Sequence, residues 1–238
     1  MGKIHNVEKL TDNRFVNLYH VNATSVHNTP VSYFVASRAK AVGELKLKTG
    51  KNDPDGVIIY SLYGEKKDRV VLIRQYRYTL GGYVYEFPAG LVEPGEDFHE
   101  GAVREMYEET GLVFTPLHVD PAFEKPYFTT VGLTDESCAT VYGYASGEIS
   151  KAAQEDSEEI EVVLADRNEV RRILKEEPVA IMCAYMLMHC LLYTSSHDAK
   201  YFSACKSDVR RKCTESTGRT RNRTESEDSY GSISYKGN

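Results

Sequence analysis

Residues 90–112, GLVEPGEDFHEGAVREMYEETGL, restrict the fold of this chain more than any other stretch. They open with a turn, Glu93-Pro94-Gly95-Glu96, and close with Thr110-Gly111, where glycine is the usual residue just past a helix end. One short helix is predicted between those signals. Glu96 and Asp97 sit where carboxylates favour a helix N-terminus, and Ala102, Val103 and Met106 are spaced for one buried face. Glu105 and Glu109 are four residues apart and Glu108 is three from Glu105, so all three carboxylates project from one side. Such crowding of like charge is a poor way to build a merely structural helix. A hard divalent cation would relieve it, because an oxygen-only donor set suits Mg²⁺ first and Mn²⁺ second. The bland alternative is a solvated acidic helix. Arg104, beside the cluster, is either a salt-bridge partner that holds Glu108 or ordinary surface charge.

The same residues resemble the Nudix box: Gly90, five residues, Glu96, seven residues, Arg104-Glu105, the aliphatic Met106, any residue, Glu108-Glu109, any residue, Gly111 and the aliphatic Leu112. Every fixed position is filled at its set spacing, a far more specific match than a lone GxGxxG. The resemblance implies a Nudix hydrolase, an α/β fold built as an α/β/α sandwich with a mixed sheet. Such enzymes cleave a nucleoside diphosphate linked to another moiety, using a divalent metal. By that resemblance Glu105 and Glu109 are the first metal ligands, with Glu108 assisting, the Ala89 carbonyl contributing and Arg104 orienting the set.

At 238 residues the chain can hold one substantial core or two small ones. Its net charge of -6 argues against nucleic acid as a partner, since a phosphate polymer needs a basic surface. A small metal-complexed nucleotide does not. Residues 1–15 lack the apolar core of a signal peptide and no run approaches transmembrane length, so a cytoplasmic protein without membrane contact is expected. The five cysteines, Cys138, Cys183, Cys190, Cys205 and Cys213, are odd in number and show no CxxC spacing, which indicates neither a disulfide framework nor a zinc site.

Residues 14–21 and 31–37 read as strands, with a third strand-like run at 41–48; what the resemblance implies for them is a small N-terminal antiparallel β subdomain over residues 1–50. Tyr33 and Phe34 are candidates for adenine stacking, with simple strand packing the preferred reading. Residues 51–192 are assigned to the Nudix domain. Residues 56–62 and 70–76 are rich in β-branched side chains and read as central strands joined by a hairpin loop at 64–68. The second strand ends in Gln75-Tyr76-Arg77, and residues 83–88 lead into the box. QYR followed by EFPAG resembles the ADP-ribose (ADP-sugar) pyrophosphatase subgroup, in which the N-terminal subdomain packs across a homodimer. Arg77 is a candidate to grip a substrate phosphate, or an exposed strand-end arginine. Glu86, on a strand expected to be buried, needs a partner. The resemblance gives it a part in substrate or metal binding.

After the box, residues 114–123 should contain a strand and 125–136 a loop. That loop resembles the one that closes over the site in ADP-ribose pyrophosphatases and makes Glu136 the candidate general base. Many relatives have Ser-Pro-Gly where this chain has Thr130-Val131-Gly132, and a solvated loop acid is the alternative. Residues 137–146 read as a strand. The acidic run at 155–161 is a solvated face in which Glu158 or Glu159 is a further metal candidate. Asp166 caps a helix to Lys175, and Pro178 opens a second, residues 179–192, apolar nearly all round and therefore expected to be buried. From 193 to 238 the composition turns to Ser, Thr, Arg and Lys, and a disordered tail is expected.

The expected chemistry is Mg-dependent attack of water on the diphosphate of ADP-ribose or a related nucleotide sugar, giving AMP and a sugar phosphate. Two alternatives stay open: a Nudix hydrolase of a dinucleotide or nucleoside triphosphate, and a non-catalytic module that senses ADP-ribose.

Overall fold

The computed structural model describes residues 1–154 and 159–193. The expected tail beyond Tyr193, Glu158 and most of the acidic run lie outside the described residues. Met1–His189 form one compact unit; of the second, Cys190–Asn238, only the end of a helix is described.

The chain begins with an antiparallel sheet in the order β1 (Lys3–Lys9), β2 (Asn17–Thr24), β3 (Pro30–Ser37). Alternation along β2 buries Asn17, Tyr19 and Val21 on one face, where Val7 and Leu45 meet them. The Tyr19 hydroxyl donates to the Ala39 carbonyl at 2.6 Å, so burying it leaves no orphan. The expected run at 41–48 is not a strand. It forms a 3-10 turn, Val42–Glu44, and a short helix α1 (Lys46–Thr49), because Leu45 turns inward to plug the small core and Gly50, at φ +67°, ends the segment. Strand β1 carries no strand signal in the sequence: apart from Ile4 and Val7 its residues are polar, and pairing with β2 together with the burial of Val7 holds it.

The main sheet has the order β11-β5-β4-β10-β8, with β6 on β5, β7 on β4 and β9 on β10. Its strands are β4 (Gly56–Tyr63), β5 (Arg69–Arg77), β6 (Gly82–Glu86), β7 (Ala89–Leu91), β8 (Val113–Pro116), β9 (Tyr127–Phe128), β10 (Ser137–Ser146) and β11 (Ile160–Ala165). The β4–β10 pair is parallel and the others antiparallel, so the sheet is mixed. Helix α2 (Phe98–Thr110) lays Ala102 and Met106 on Val57, Ile59, Val71 and Val141. Val103 is one residue round from that row and 40% exposed, against the expectation that it shares the buried face.

Asp120 caps α3 (Pro121–Glu124), and Asp166 caps α4 (Arg167–Glu176) by accepting from the Asn168 and Glu169 amides. Helix α5 (Ile181–Tyr193) starts later than Pro178. The Pro178 carbonyl and the Ala180 amide bond Tyr85 instead, which extends the strand pattern past the proline. Nor is α5 buried all round: Cys183 and Leu187 face inward, while Ile181, Tyr185 and Met188 are exposed. Among the described residues no helix is long and apolar enough to cross a membrane.

Gly111 ends α2 at φ +74°, and a Cβ there would stand 2.6 Å from the Ser150 backbone nitrogen. Gly111→Ala therefore combines left-handed strain with a backbone clash, and a loss of about 2 kcal/mol is expected in urea unfolding. An unchanged midpoint would mean that the 147–150 segment yields freely.

Candidate active site

The box is built first of all from local bonds. Glu96 donates its amide to the Glu93 carbonyl at 3.0 Å, Gly95 takes φ +87°, and Asp97 accepts from the His99 amide at 2.9 Å to start α2. With Ala102 and Met106 anchored in the core, the helix turns Glu105 and Glu109 toward β7. A Cβ on Gly90 would lie 1.9 to 2.2 Å from the Glu105 carboxyl atoms, so only glycine lets that side chain reach across the strand. Glu109 is 2% exposed, and its Oε2 accepts from the Ala89 amide at 3.1 Å. Glu108 stands nearer solvent on the same side.

Arg104 joins the turn, the helix and β7. Its Nε and Nη2 donate to the two oxygens of Glu96, each at 2.9 Å, Nη1 to Glu105 at 2.8 Å and Glu108 at 2.9 Å, and Nη2 also to the Leu91 carbonyl at 2.9 Å. Of the two sequence readings of Arg104, the structure shows the salt-bridge partner. Among the described residues no three His, Cys, Asp or Glu side chains converge as a ligand cluster: Arg104 draws Glu105 and Glu108 to itself, and Glu109 turns to the Ala89 amide. The donor set nonetheless fits a hard divalent cation, since Glu105, Glu108, Glu109 and the Ala89 carbonyl offer oxygen alone.

The Arg104 guanidinium, helped by the Glu93 amide, holds the Glu96 carboxyl well below its ordinary 4.5, at about 2. A folded-state pKa below the unfolded one gives stability that is full above pH 4.5 and lost as pH falls toward 2. Arg104→Gln should therefore destabilise the protein most near neutrality, with the gap from wild type closing in acid. Urea unfolding at pH 7 and pH 3 measures it, and an equal gap at both would contradict the pairing.

Arg77 and Glu86 come from the β5–β6 hairpin and find each other. Arg77 donates from Nε to Glu86 Oε2 at 2.8 Å and from Nη2 at 2.6 Å. Glu86 thus has the partner its position demanded, three residues before Ala89. Arg77 remains 42% exposed at its side chain, an accessible guanidinium beside the box.

Glu136 lies in the loop before β10. The register Cys138↔Gly56 and Gly56↔Leu91 sets β10, β4 and β7 side by side, so Glu136 enters the sheet at the end where the box strand crosses. Arg38 donates from Nε and Nη2 to its Oε1 at 3.1 and 2.9 Å, and Thr129 Oγ1 donates to its Oε2 at 3.1 Å. Neither Arg38 nor Thr129 was legible in the sequence, because no local pattern connects positions 38 and 136. Tyr33 donates its hydroxyl to the Gly132 carbonyl, and Phe34 stacks on His20 with centroids 4.9 Å apart. Glu159 accepts from the Tyr83 hydroxyl. Burial pushes the Cys138 thiol up to about 12, which leaves it a packing residue rather than a nucleophile.

A mixed sheet, with a carboxylate-bearing helix folded back on a glycine strand, defines the class: an α/β scaffold that presents oxygen donors beside β7. The NUDIX domain matches residues 53–182, and the chain belongs to the Nudix family. It is 32% identical over 102 residues to the ADP-sugar pyrophosphatase of Mus musculus, covering 42% of this chain and 47% of that protein. Over 87 residues it is 36% identical to the ADP-ribose pyrophosphatase of Saccharomyces cerevisiae, covering 36% of this chain and 38% of that protein. The chain spans less than half the length of these two relatives. The crystal structure of an ADP compounds hydrolase shares the fold at TM-score 0.59 and 18% identity, over 82% of this chain and 96% of that chain.

Proposed function

We propose that this chain hydrolyses the diphosphate bond of ADP-ribose or a related nucleoside diphosphate sugar, giving AMP or the matching monophosphate and a sugar phosphate. The observation that carries the proposal is the seating of α2 on residues 89–91, with Glu105 over Gly90, Glu109 on the Ala89 amide and Arg104 bonded to the Leu91 carbonyl. The substrate class is supported by two relatives that bear the names ADP-sugar and ADP-ribose pyrophosphatase.

In this reading Glu105, Glu108, Glu109 and the Ala89 carbonyl hold Mg²⁺, with Mn²⁺ the second choice. When bound, the cation offsets the diphosphate charge and makes water a stronger nucleophile. Arg104 keeps Glu105 and Glu108 in place. Glu136 takes the proton of the attacking water. Arg77 grips a substrate phosphate, for which a guanidinium offers two parallel donors, and Glu86 sets its direction. Most of the rate then comes from positioned charges and an oriented water. The setting proposed is a cytoplasmic homodimer.

The test is kcat/KM over ADP-ribose, UDP-glucose, NADH, diadenosine polyphosphates and 8-oxo-dGTP. The proposal expects ADP-ribose or another nucleoside diphosphate sugar to lead. A leading triphosphate or dinucleotide would keep the box chemistry and overturn the substrate class.

A further inference from the structure

The loop that carries Glu136 is stitched to the N-terminal sheet of the same chain. Tyr33 donates its hydroxyl to the Gly132 carbonyl at 2.6 Å, the Ala36 amide donates to the Leu133 carbonyl at 2.9 Å, and Ala36 and Thr134 form a parallel bridge. Just past β3, Arg38 places both of its donors on Glu136 Oε1. The Lys46 amide adds a bond to Asp135 Oδ2 at 3.3 Å. The partners stand 89 to 99 positions apart in sequence. Within the loop the Leu133 and Thr134 amides bond back to the Thr130 carbonyl and the Thr129 amide to the Glu136 carbonyl, and an edge-to-edge match with β3 ties that turn to the sheet.

The pattern at the carboxylate is specific. An ionised glutamate has about four acceptor directions. Arg38 fills those of Oε1 with two N–H groups, and Thr129 takes one on Oε2. One direction on Oε2 lies outside these bonds. A carboxylate held this way is fixed in azimuth and tilt, which is what a proton acceptor needs, since efficiency depends on geometry before basicity.

We propose that Arg38 is a positioning residue for the reaction: it holds the Glu136 carboxylate in the orientation from which it accepts the proton of the attacking water. The N-terminal sheet is then a working part of its own chain's active site. The inference rests on the assignment of Glu136 given above.

The test uses the full chain with ADP-ribose and Mg²⁺, and compares Arg38→Gln, Arg38→Lys, Glu136→Gln and the double variant Arg38→Gln/Glu136→Gln. Misplacing a catalytic group by an ångström costs on the order of 10²-fold, so Arg38→Gln should lower kcat about 10- to 100-fold. Its KM should stay within about threefold, because the proposed role acts through Glu136 and not on the substrate. Arg38→Lys, which keeps the charge and a donor, should recover part of the loss. The double variant should be no slower than Glu136→Gln alone. Thr129→Ala loosens the same carboxylate without touching the N-terminal sheet and should lower kcat in the same sense, which keeps the test open if Arg38→Gln folds poorly. Wild-type kcat in both Arg38→Gln and Thr129→Ala, a loss confined to KM, or a double variant slower by the full product of the two factors would each overturn the positioning role. Wild-type turnover in Glu136→Gln would be a different failure: it removes the general-base assignment itself, and the positioning role with it.

Discussion

Replacing Glu109 by Gln is expected to lower kcat about 10³-fold while leaving the melting temperature close to wild type. The side chain is almost fully enclosed, and its Oε2 accepts from the Ala89 amide. Gln keeps an oxygen that can accept that same bond, so the α2–β7 junction should survive. What it loses is the charge. A buried anion is retained only where something compensates it, and in the proposed site a divalent cation supplies that compensation. Removing one preorganised charge-stabilising group costs about 10² to 10³ in kcat. Steady-state kinetics beside a thermal melt separates the two effects. A variant with full turnover would remove Glu109 from the proposed ligand set, and one that melts far below wild type would make its role structural.

Gly90→Ala is expected to cost both activity and stability. The added methyl would sit inside the volume of the Glu105 carboxyl group, at 1.9 Å from its carbon, and that carboxyl is the far end of a flexible side chain. Glu105 must therefore swing away, and it takes with it one of the two box acids that Arg104 Nη1 holds. Overpacking of this kind costs about 1 to 3 kcal/mol. Displacement of a reacting group by an ångström or more costs about 10²-fold in turnover. Denaturant unfolding and kcat together check the prediction. A variant with wild-type kcat would mean that the position of Glu105 over β7 does not matter to the chemistry.

The box was readable because its signals are local: an N-capping acid, a turn, two apolar positions one helical turn apart and a terminal glycine. Strands β4, β5 and β10 were readable within about a residue at their ends for the same reason, since β-branched runs bounded by turn residues say where pairing must stop. The errors have equally physical causes. ELKLK alternates like a strand, yet Leu45 is needed as a plug beneath Tyr19, and the chain curls to deliver it. In α5 the apolar sequence implies burial all round, yet Cys183 and Leu187 are buried while Ile181, Tyr185 and Met188 are exposed. Val103 shows the same limit at a single residue. At the site, each candidate was named from its own neighbourhood, while the pairings were not. Arg77 with Glu86 depends on the β5–β6 register, and Arg38 with Glu136 on the docking of two sheets. Those contacts exist only after the chain has closed.

The most direct measurement is product analysis of the purified chain with ADP-ribose and Mg²⁺, run with and without EDTA. The proposed reaction gives AMP and ribose 5-phosphate in equal amounts, with release abolished by EDTA and restored by excess Mg²⁺. Binding of ADP-ribose with no hydrolysis in Mg²⁺ or Mn²⁺, or hydrolysis that EDTA leaves untouched, would contradict it.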